Sequence, residues 1–218
     1  MWLDWQAQGT VVDSNVFYRN TRDVMTEVTH GPITFMNNVF ASEFSFDDYA
    51  QGAAFVNNLF AGRIRHTAVL DRSTPYHFPH VTDVAGEAFV YGGDDRYVNN
   101  LFLAVDDSAK PLCTADAAGA AGMAEAGTAF FDGYPRSLEE YEQLIEEADL
   151  GDEELYRSVK QPVLLASNAY VSGAKAASGE AEAVVSGDSS SLALRETDDE
   201  LWTVSYTHLR AHETAANL

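Results

Sequence analysis

Residues 37–62, NNVFASEFSFDDYAQGAAFVNNLFAG, contain two copies of an Asn-x-Phe motif that decides the predicted fold. The motif occurs with steps of 23, 20 and 42 residues, at Asn15-Val16-Phe17, Asn38-Val39-Phe40, Asn58-Leu59-Phe60 and Asn100-Leu101-Phe102. Such a period, in a segment rich in Val, Phe, Tyr and Thr, predicts an all-β solenoid, a right-handed parallel β-helix. Residues two apart on a strand point the same way, so the motif predicts a stacked asparagine column and a stacked phenylalanine column. The step of 42 residues predicts two coils between Asn58 and Asn100.

Two carboxylates share one position in consecutive repeats. Asp4, in WLDWQAQGT, and Glu27, in TEVTHGP, lie 23 residues apart, and each precedes a motif asparagine by eleven residues. Equivalent residues of adjacent coils are about 4.7–4.9 Å apart, close to the roughly 5–5.5 Å between the carboxyl groups of retaining glycosidases. Strand alternation turns Glu27 outward into a cleft. The spacing favours a catalytic pair, although solvated carboxylate columns exist and a fold does not fix a function.

Further residues near the pair are candidate substrate contacts. Asp47 also precedes a motif asparagine by eleven residues, so we expect it in the same column, with Asp48 beside it. A third acid there would bind a sugar hydroxyl or tune the pair. Trp2 shares the face of Asp4 and offers a platform for a sugar ring, although a tryptophan on a solenoid is as often part of the core. His30, in the same stretch as Glu27, completes this set.

Residues 63–96 interrupt the repeat with two polar, turn-rich stretches, LDRSTPYHFPH and YGGDDR. Loops that leave a solenoid on one face commonly build its binding site, so His77 and His80 are candidate substrate contacts. The alternative is that both form local hydrogen bonds in a Pro-flanked loop. No Cys or carboxylate spacing around them indicates a metal site, and no cofactor is expected. For Asp94, Asp95 and Arg96, a turn closed by an internal ion pair is favoured over direct substrate binding.

The second half of the chain predicts a linker, two helices and a further β segment. Ala and Gly dominate residues 106–127, which is typical of a linker. Ser137 and Glu140 form a capping box for a helix whose apolar stripe is expected to pack against the side of the solenoid. A short helix at 153–159 and a strand at 162–171 follow.

The expected domain organisation has three parts. Residues 1–160 form the last coils of the β-helix with its flanking helix, and residues 161–204 begin a truncated β domain. Residues 205–218, SYTHLRAHETAANL, resemble translated sequencing-adapter read-through and are expected to be a non-native tail. The two histidines of that tail, His208 and His212, are therefore given no role. The chain opens in WLDW without a capping element, so its natural N-terminus is expected upstream.

Composition restricts the classes of partner. The chain has 13 Lys+Arg against 34 Asp+Glu, a net charge of −21, which argues against nucleic acid and anionic membranes and favours a neutral or cationic ligand. No apolar run approaches the roughly 20 residues of a membrane helix, and no signal-peptide pattern opens the chain, which favours a cytoplasmic location. Cys113, the single cysteine, excludes an intramolecular disulfide and is assigned a structural role. A neutral oligosaccharide substrate is compatible with the acidic charge of the chain, and so is assembly into a homo-oligomer.

A series of motifs in order resembles the catalytic β-helix of glycoside hydrolase family 120, the β-xylosidases. The motifs are WLDWQAQGT, TEVTHGP, NNVFAS, QGAAFVNNLFAG, DRSTPYHFPH and GGDDRYVNNLFL. The resemblance covers most of residues 2–104 and, more loosely, 127–174. It implies a retaining, exo-acting hydrolase that releases xylose from xylo-oligosaccharides, on a right-handed parallel β-helix accompanied by a β-sandwich domain. By motif, Asp4 is the implied nucleophile and Glu27 the implied acid/base.

Two other functions remain open. Many polysaccharide lyases act from β-helices, but they need a basic residue and often a Ca²⁺ site for uronates. No Lys precedes Lys110, and the acidic chain repels a polyuronate. A non-catalytic β-helix module that binds carbohydrate is the third hypothesis.

Overall fold

The described part of the computed structural model is mostly β and is organised around two parallel sheets. It comprises residues 1–78, 80–104, 124–189, 192–196 and 202–206. The first sheet contains β1 (Trp2–Leu3), β2 (Val11–Asp13), β4 (Val24–Met36), β6 (Phe44–Val56), β8 (Arg63–His66), β11 (Arg96–Val98) and β13 (Leu164–Ala166). The second contains β3 (Val16–Phe17), β5 (Val39–Phe40), β7 (Leu59–Phe60), β12 (Leu101–Leu103), β14 (Ala169–Val171) and β15 (Val184–Val185). Each main strand pairs with its equivalent in the next repeat, as the Asn-x-Phe period predicts.

The predicted asparagine column is present and is one residue longer than the motif indicates. The backbone N–H of Asn38 donates to Asn58 Oδ1 at 3.0 Å, that of Asn58 to Asn100 Oδ1 at 2.9 Å, and that of Asn100 to Asn168 Oδ1 at 2.8 Å. Asn15 donates to Asn38 in the same way at the other end. These buried amides satisfy backbone groups at each corner of the chain, which explains why Asn recurs there.

The phenylalanine column runs parallel to the asparagine column. Successive rings stack at centroid distances of 5.2, 4.9, 5.0 and 5.0 Å, through Phe17, Phe40, Phe60, Phe102 and Tyr170. A second stacked series, Phe35, Phe55 and Tyr97, packs against it from the facing sheet. The interior between the sheets is therefore mainly aromatic at this level.

The prediction of two coils between Asn58 and Asn100 is wrong. Leu59 pairs directly with Leu101 across β7 and β12, so those 42 residues form one repeat. The additional length lies in β8 and in an antiparallel hairpin of β9 (Val69–His77) and β10 (Val84–Val90). An inserted hairpin lengthens the spacing of the motif without adding a layer to the sheets.

The remaining elements lie in the second half of the chain. The helices are α1 (Leu138–Ala148) and α2 (Asp152–Ser158), with a 3₁₀ turn at Ala129–Phe131, and β16 (Leu192–Glu196) pairs antiparallel with β17 (Trp202–Tyr206). The predicted strand at 162–171 is two strands, β13 and β14, which continue the two sheets beyond the boundary placed at residue 161. Residues 106–123 of the predicted linker, which include Cys113, lie outside the described residues, as do His208 and His212.

Helix α1 begins as predicted, and its apolar stripe is partly covered. Ser137 Oγ accepts a hydrogen bond from the Glu140 backbone N–H at 3.1 Å, which confirms the cap. No residue of α1 is fully buried, but Tyr141, Ile145 and Ala148 of its apolar stripe are half-buried, whereas Leu138 and Leu144 are exposed. Among the described residues, no helix combines the length and apolar character needed to cross a membrane.

The asparagine column gives a stability prediction. Asn58→Ala removes the acceptor of the Asn38 backbone N–H and the donor to the Phe35 carbonyl, leaving buried groups unpaired. We expect the free energy of unfolding to fall by about 2–4 kcal/mol, measured by urea denaturation. Asn15→Ala is the matched control, because Asn15 ends the column and is exposed, so water replaces its bonds. Equal losses in the two variants would contradict a structural role for the buried column.

Candidate functional site

Strand pairing joins the residues that immediately precede Asp4 and Glu27. β1 lies parallel to the start of β4, with Trp2 opposite Met25 and Leu3 opposite Thr26, so each acid follows directly after a paired residue. Thr26 is buried in the interior, and strand alternation therefore turns Glu27 away from it. Asp4 is exposed, and 20% of the Glu27 side chain is exposed. Both carboxyl groups are thus accessible to solvent.

The backbone after Glu27 leaves regular strand geometry. Val28 is fully buried and has φ 46°, in the left-handed region that β-branched residues rarely adopt. The pairing with β6 shifts register between Glu27 and His30. Strained residues of this kind are concentrated at functional sites, where the surrounding structure holds them. The bend fixes Glu27 at the last regular position of this part of β4.

Arg72 contacts Glu27 and the residue after Asp4, and it was not identified from the sequence. It extends from β9 of the inserted hairpin, and its Nη2 lies 2.8 Å from Glu27 Oε1. Its guanidinium carbon lies 5.7 Å from the centroid of the Trp5 ring. The Trp5 backbone N–H in turn donates to Asp4 Oδ1 at 2.9 Å. The only sequence signal for Arg72 is its place in the polar stretch LDRSTPYHFPH.

Asp47 does not join the column of Asp4 and Glu27. The register pairs Asp47 with Met25 and places Tyr49 opposite Glu27. The offset between β4 and β6 is 49 − 27 = 22 residues at Glu27 but 53 − 33 = 20 at Ile33, because two register shifts intervene. Counting back from the motif asparagine crosses those shifts, so the expectation that Asp47 completes the column is wrong.

The ion pairs of Asp47 explain its burial. Its carboxylate is fully buried and lies 2.7 Å from Arg22 Nη1 and 2.6 Å from Arg65 Nη2. Arg65 Nε also donates to Asp47 Oδ1 at 2.7 Å, which makes this contact bidentate. Such a carboxylate is held by structure rather than presented to a ligand.

Asp48 faces the interior rather than the cleft. It pairs with Thr26, accepts a hydrogen bond from Thr26 Oγ1 at 2.6 Å and another from the Ala50 backbone N–H at 3.1 Å. Only 1% of Asp48 is exposed. The expected sugar contact is therefore wrong for Asp48, because strand alternation directs it to the opposite side from Glu27.

His30 joins β4 to the hairpin. Its Nε2 lies 3.3 Å from the Thr74 carbonyl and 3.2 Å from the Ala88 carbonyl, and Gln51 Nε2 lies 3.0 Å from its Nδ1. Burial lowers the pKa of His30, against the opposing effect of the two carbonyl contacts. With both ring nitrogens engaged inside the protein, His30 acts as a neutral structural bridge.

The other predicted contacts lie at the surface. His77 Nδ1 lies 3.0 Å from the Thr82 carbonyl, which is the local contact of the alternative hypothesis, and its backbone exchanges two hydrogen bonds with Gln8. His80 is exposed at the end of the hairpin, and Trp2 is 62% exposed beside Asp4 in the sequence. The predicted ion pair of the turn after Gly93 is confirmed, with Arg96 Nη2 3.0 Å from Asp94 Oδ1.

A cavity of about 560 Å³ lies beside the hairpin. Its lining includes Gln8, His30, Tyr76, His77, Tyr91 and Asp94, but neither Asp4 nor Glu27. Its volume is within the range of small-molecule sites. The hairpin therefore borders a cavity lined by His30 and His77, and it also carries Arg72, which contacts Glu27.

A second polar cluster, Asp48, His66 and Asp95, lies inside the protein. One ligand-type atom from each side chain lies within 4.8 Å of the others. From the sequence, His66 has no predicted role and Asp95 is predicted only as part of a turn. Neither residue belongs to a recognisable spacing, because β6, β8 and the turn before β11 bring them together.

The bridge formed by His30 predicts a pH dependence. Because its folded pKa lies below the ordinary value of 6.5, the unfolded chain binds a proton first as the pH falls. Its contribution to stability is therefore present above about pH 6.5 and is lost as the pH falls toward the lowered folded pKa. We expect the free energy of unfolding of the wild type, from urea titrations at several pH values, to decrease over this window more steeply than that of His30→Gln. Parallel pH profiles would contradict this role.

Comparison with known proteins finds one informative match. No protein-family model and no curated protein matches the chain. Among solved structures, the chain is similar to the complex of XylC with xylose, with a TM-score of 0.77 and 42% sequence identity. The match covers 90% of this chain and 29% of XylC. The chain therefore spans less than a third of the length of that protein, and over most of its own length it shares the fold of a protein solved with a bound pentose.

Proposed function

We propose that this chain carries the catalytic carboxylates of a retaining, exo-acting glycoside hydrolase that releases xylose from β-linked xylo-oligosaccharides. The observation that carries the proposal is the register of β1 and β4, which pairs the residues just before Asp4 and Glu27 and so supports the proximity of the two acids. The similarity to XylC, solved with xylose, supports a xyloside as substrate. We further propose that the parallel sheets belong to a right-handed β-helix of glycoside hydrolase family 120, on the motifs quoted above.

The chemistry assigns the two acids different tasks. The Asp4 carboxylate attacks the anomeric carbon while Glu27 donates its proton to the departing glycosidic oxygen, so a glycosyl ester on Asp4 forms and the sugar–oxygen bond breaks. Glu27, now a carboxylate, then takes a proton from water, which attacks the same carbon and releases xylose and free Asp4. Two inversions give net retention.

The residues around the pair have supporting tasks in this proposal. Arg72 holds Glu27 through its ion pair and packs over Trp5, so it positions the acid/base relative to the nucleophile. Trp2, exposed beside Asp4, offers a flat apolar surface to a sugar ring. His77 and His80 lie on the same hairpin as Arg72 and are proposed contacts for more distant sugar units.

The stereochemistry of the product tests the proposal. In ¹H NMR of an aryl β-xyloside reaction, the first anomer released is expected to be β-xylose, with α-xylose appearing only by mutarotation. Release of α-xylose first would indicate inversion and contradict Asp4 as a nucleophile. An ultraviolet-absorbing unsaturated product would support the lyase hypothesis instead. Binding of xylo-oligosaccharides without turnover would support the carbohydrate-binding module.

A further inference from the structure

The interior cluster of Asp48, His66 and Asp95 occupies equivalent levels of the sheet. Thr26, Asp48 and His66 are opposite one another on β4, β6 and β8. Asp95 reaches the same place from the turn before β11, and its Oδ1 accepts from the Ala53 backbone N–H at 2.9 Å. Asp48 and Asp95 are at most 1% exposed, and the His66 side chain is 3% exposed. The cluster is separate from the outward-facing pair.

Each carboxylate in the cluster has one oxygen fixed and one facing shared space. Asp48 Oδ1 is held by Thr26 and Ala50, whereas Asp48 Oδ2 lies 3.2 Å from His66 Nδ1. Asp95 Oδ1 is held by Ala53, whereas Asp95 Oδ2 lies 3.9 Å from His66 Nδ1 and has no hydrogen-bond partner. Ligands of protein metal sites are typically oriented by such outer hydrogen bonds.

Unpartnered buried atoms surround this space. Besides Asp95 Oδ2, both His66 Nε2 and the Tyr97 hydroxyl are buried without a hydrogen-bond partner. A buried polar group without a partner costs roughly 1–3 kcal/mol, and two adjacent buried carboxylates cost more unless a cation or a proton compensates them.

We propose that Asp48 Oδ2, His66 Nδ1 and Asp95 Oδ2 bind one divalent transition-metal ion, of the Zn²⁺ or Mn²⁺ class, inside the protein. Metal–ligand bonds of about 2.0–2.2 Å place neighbouring ligand atoms roughly 3–3.5 Å apart. The distances of 3.2 and 3.9 Å from His66 Nδ1 need only small side-chain shifts to meet that geometry. One imidazole and two carboxylates favour a transition metal over Ca²⁺ or Mg²⁺.

The ion has a structural task that follows from its position. It joins β6, β8 and the turn before β11 in the interior, and it neutralises both carboxylates. A ligand that binds only the folded chain raises its stability in proportion to the logarithm of its concentration. The competing account is a proton shared within the cluster, which makes stability independent of added metal.

Metal binding by the full chain tests the proposal. The purified chain is stripped with a chelator and titrated with Co²⁺ in equilibrium dialysis, with visible absorption and thermal unfolding followed in parallel. We expect one ion per chain, new d–d bands and a higher melting temperature. Asp95→Asn keeps the acceptor for Ala53 but is a poorer ligand, so its Co²⁺ affinity should fall by at least about 10-fold. Asp94→Asn, at an exposed neighbouring position, should bind as the wild type does.

Several results overturn the proposal. If the wild type binds neither Co²⁺ nor Zn²⁺ stoichiometrically and shows no change in melting temperature, a proton shared between the side chains, rather than a metal ion, compensates the buried carboxylates. Equal affinity of wild type and Asp95→Asn places any bound ion elsewhere. If Asp95→Asn does not fold, the wild-type stoichiometry and a second pair of variants decide the question. Weaker binding by His66→Gln than by Asp94→Asn supports the proposal, and equal binding by these two variants overturns it.

Discussion

Asp4→Asn is expected to lower the turnover of an aryl β-xyloside by at least about 10³-fold, because asparagine retains the shape of the side chain but cannot form the glycosyl ester. Asp4 is exposed and accepts a hydrogen bond from the Trp5 backbone N–H, which the asparagine carbonyl oxygen also accepts. The thermal stability of the variant should therefore match that of the wild type. The measurement is kcat by release of the aryl group, with circular dichroism melting on the same samples.

Glu27→Ala provides the companion result for the acid/base. With an activated aryl leaving group, the first step needs little protonation, so the glycosyl ester should accumulate and its hydrolysis should limit the rate. Added azide, which needs no general base, should restore turnover and yield β-xylosyl azide. Glu142→Gln, on the exposed face of α1, is the control and should leave the rate unchanged. Wild-type turnover in either acid variant would contradict the catalytic role of that residue. For Asp4→Asn, added azide should instead yield the α-xylosyl azide, which is the product expected when the nucleophile is lost.

Gly31→Ala is expected to lower the free energy of unfolding by about 3 kcal/mol or more, a larger loss than most single substitutions cause. Gly31 lies where β4 changes register against β6, between the pairs His30–Gln51 and Ile33–Ala53. A Cβ added at Gly31 overlaps the backbone carbonyl of Gly52. That carbonyl belongs to a neighbouring strand and moves only if the paired strands separate, so the strain cannot be relieved by a side-chain rotation.

Urea denaturation of Gly31→Ala and of Gly187→Ala gives the test. Gly187 is exposed, and a Cβ there meets no atom within 4 Å, so its substitution should leave stability almost unchanged. Because Gly31 also borders the bend that holds Glu27, activity at low temperature should fall in the Gly31 variant even where it remains folded. A loss below about 1 kcal/mol would show that the two strands separate without strain at this position.

The repeat of the sequence was sufficient for the parallel sheets and for the columns within them. Asn and Phe two positions apart must share a face of a strand, and a constant period must place like residues on like residues. Asn168 and Tyr170 escaped notice because Tyr replaces Phe there and the insertion before them is long. Tyr170 stacks on Phe102 as a phenylalanine would, because stacking depends on the aromatic ring. Asn168 supplies the same amide acceptor as the other column asparagines.

Position within the repeat did not predict which residues lie opposite one another where the two paired strands differ in length. Asp47 fell out of the acid column because β4 has two more residues than β6 between Glu27 and Ile33, and a register shift leaves no mark in sequence spacing. The partners of Arg72 and Asp95 could not be predicted for a related reason. Each reaches its partners through an insertion or a turn, where periodicity carries no information about which residues meet.

What the sequence by itself determined is therefore the local and periodic part of this protein: parallel strands, the Asn and aromatic columns and the cap of α1. These features depend on side-chain direction and on repeat length, both of which follow from the spacing of residues in the sequence. The tertiary structure alone decided that Asp47 is bound by two arginines, that Arg72 contacts Glu27, and that Asp48, His66 and Asp95 meet in the interior. Those contacts join residues whose separation follows no period, so only the packing of the inserted hairpin and turns against the sheets brings them together.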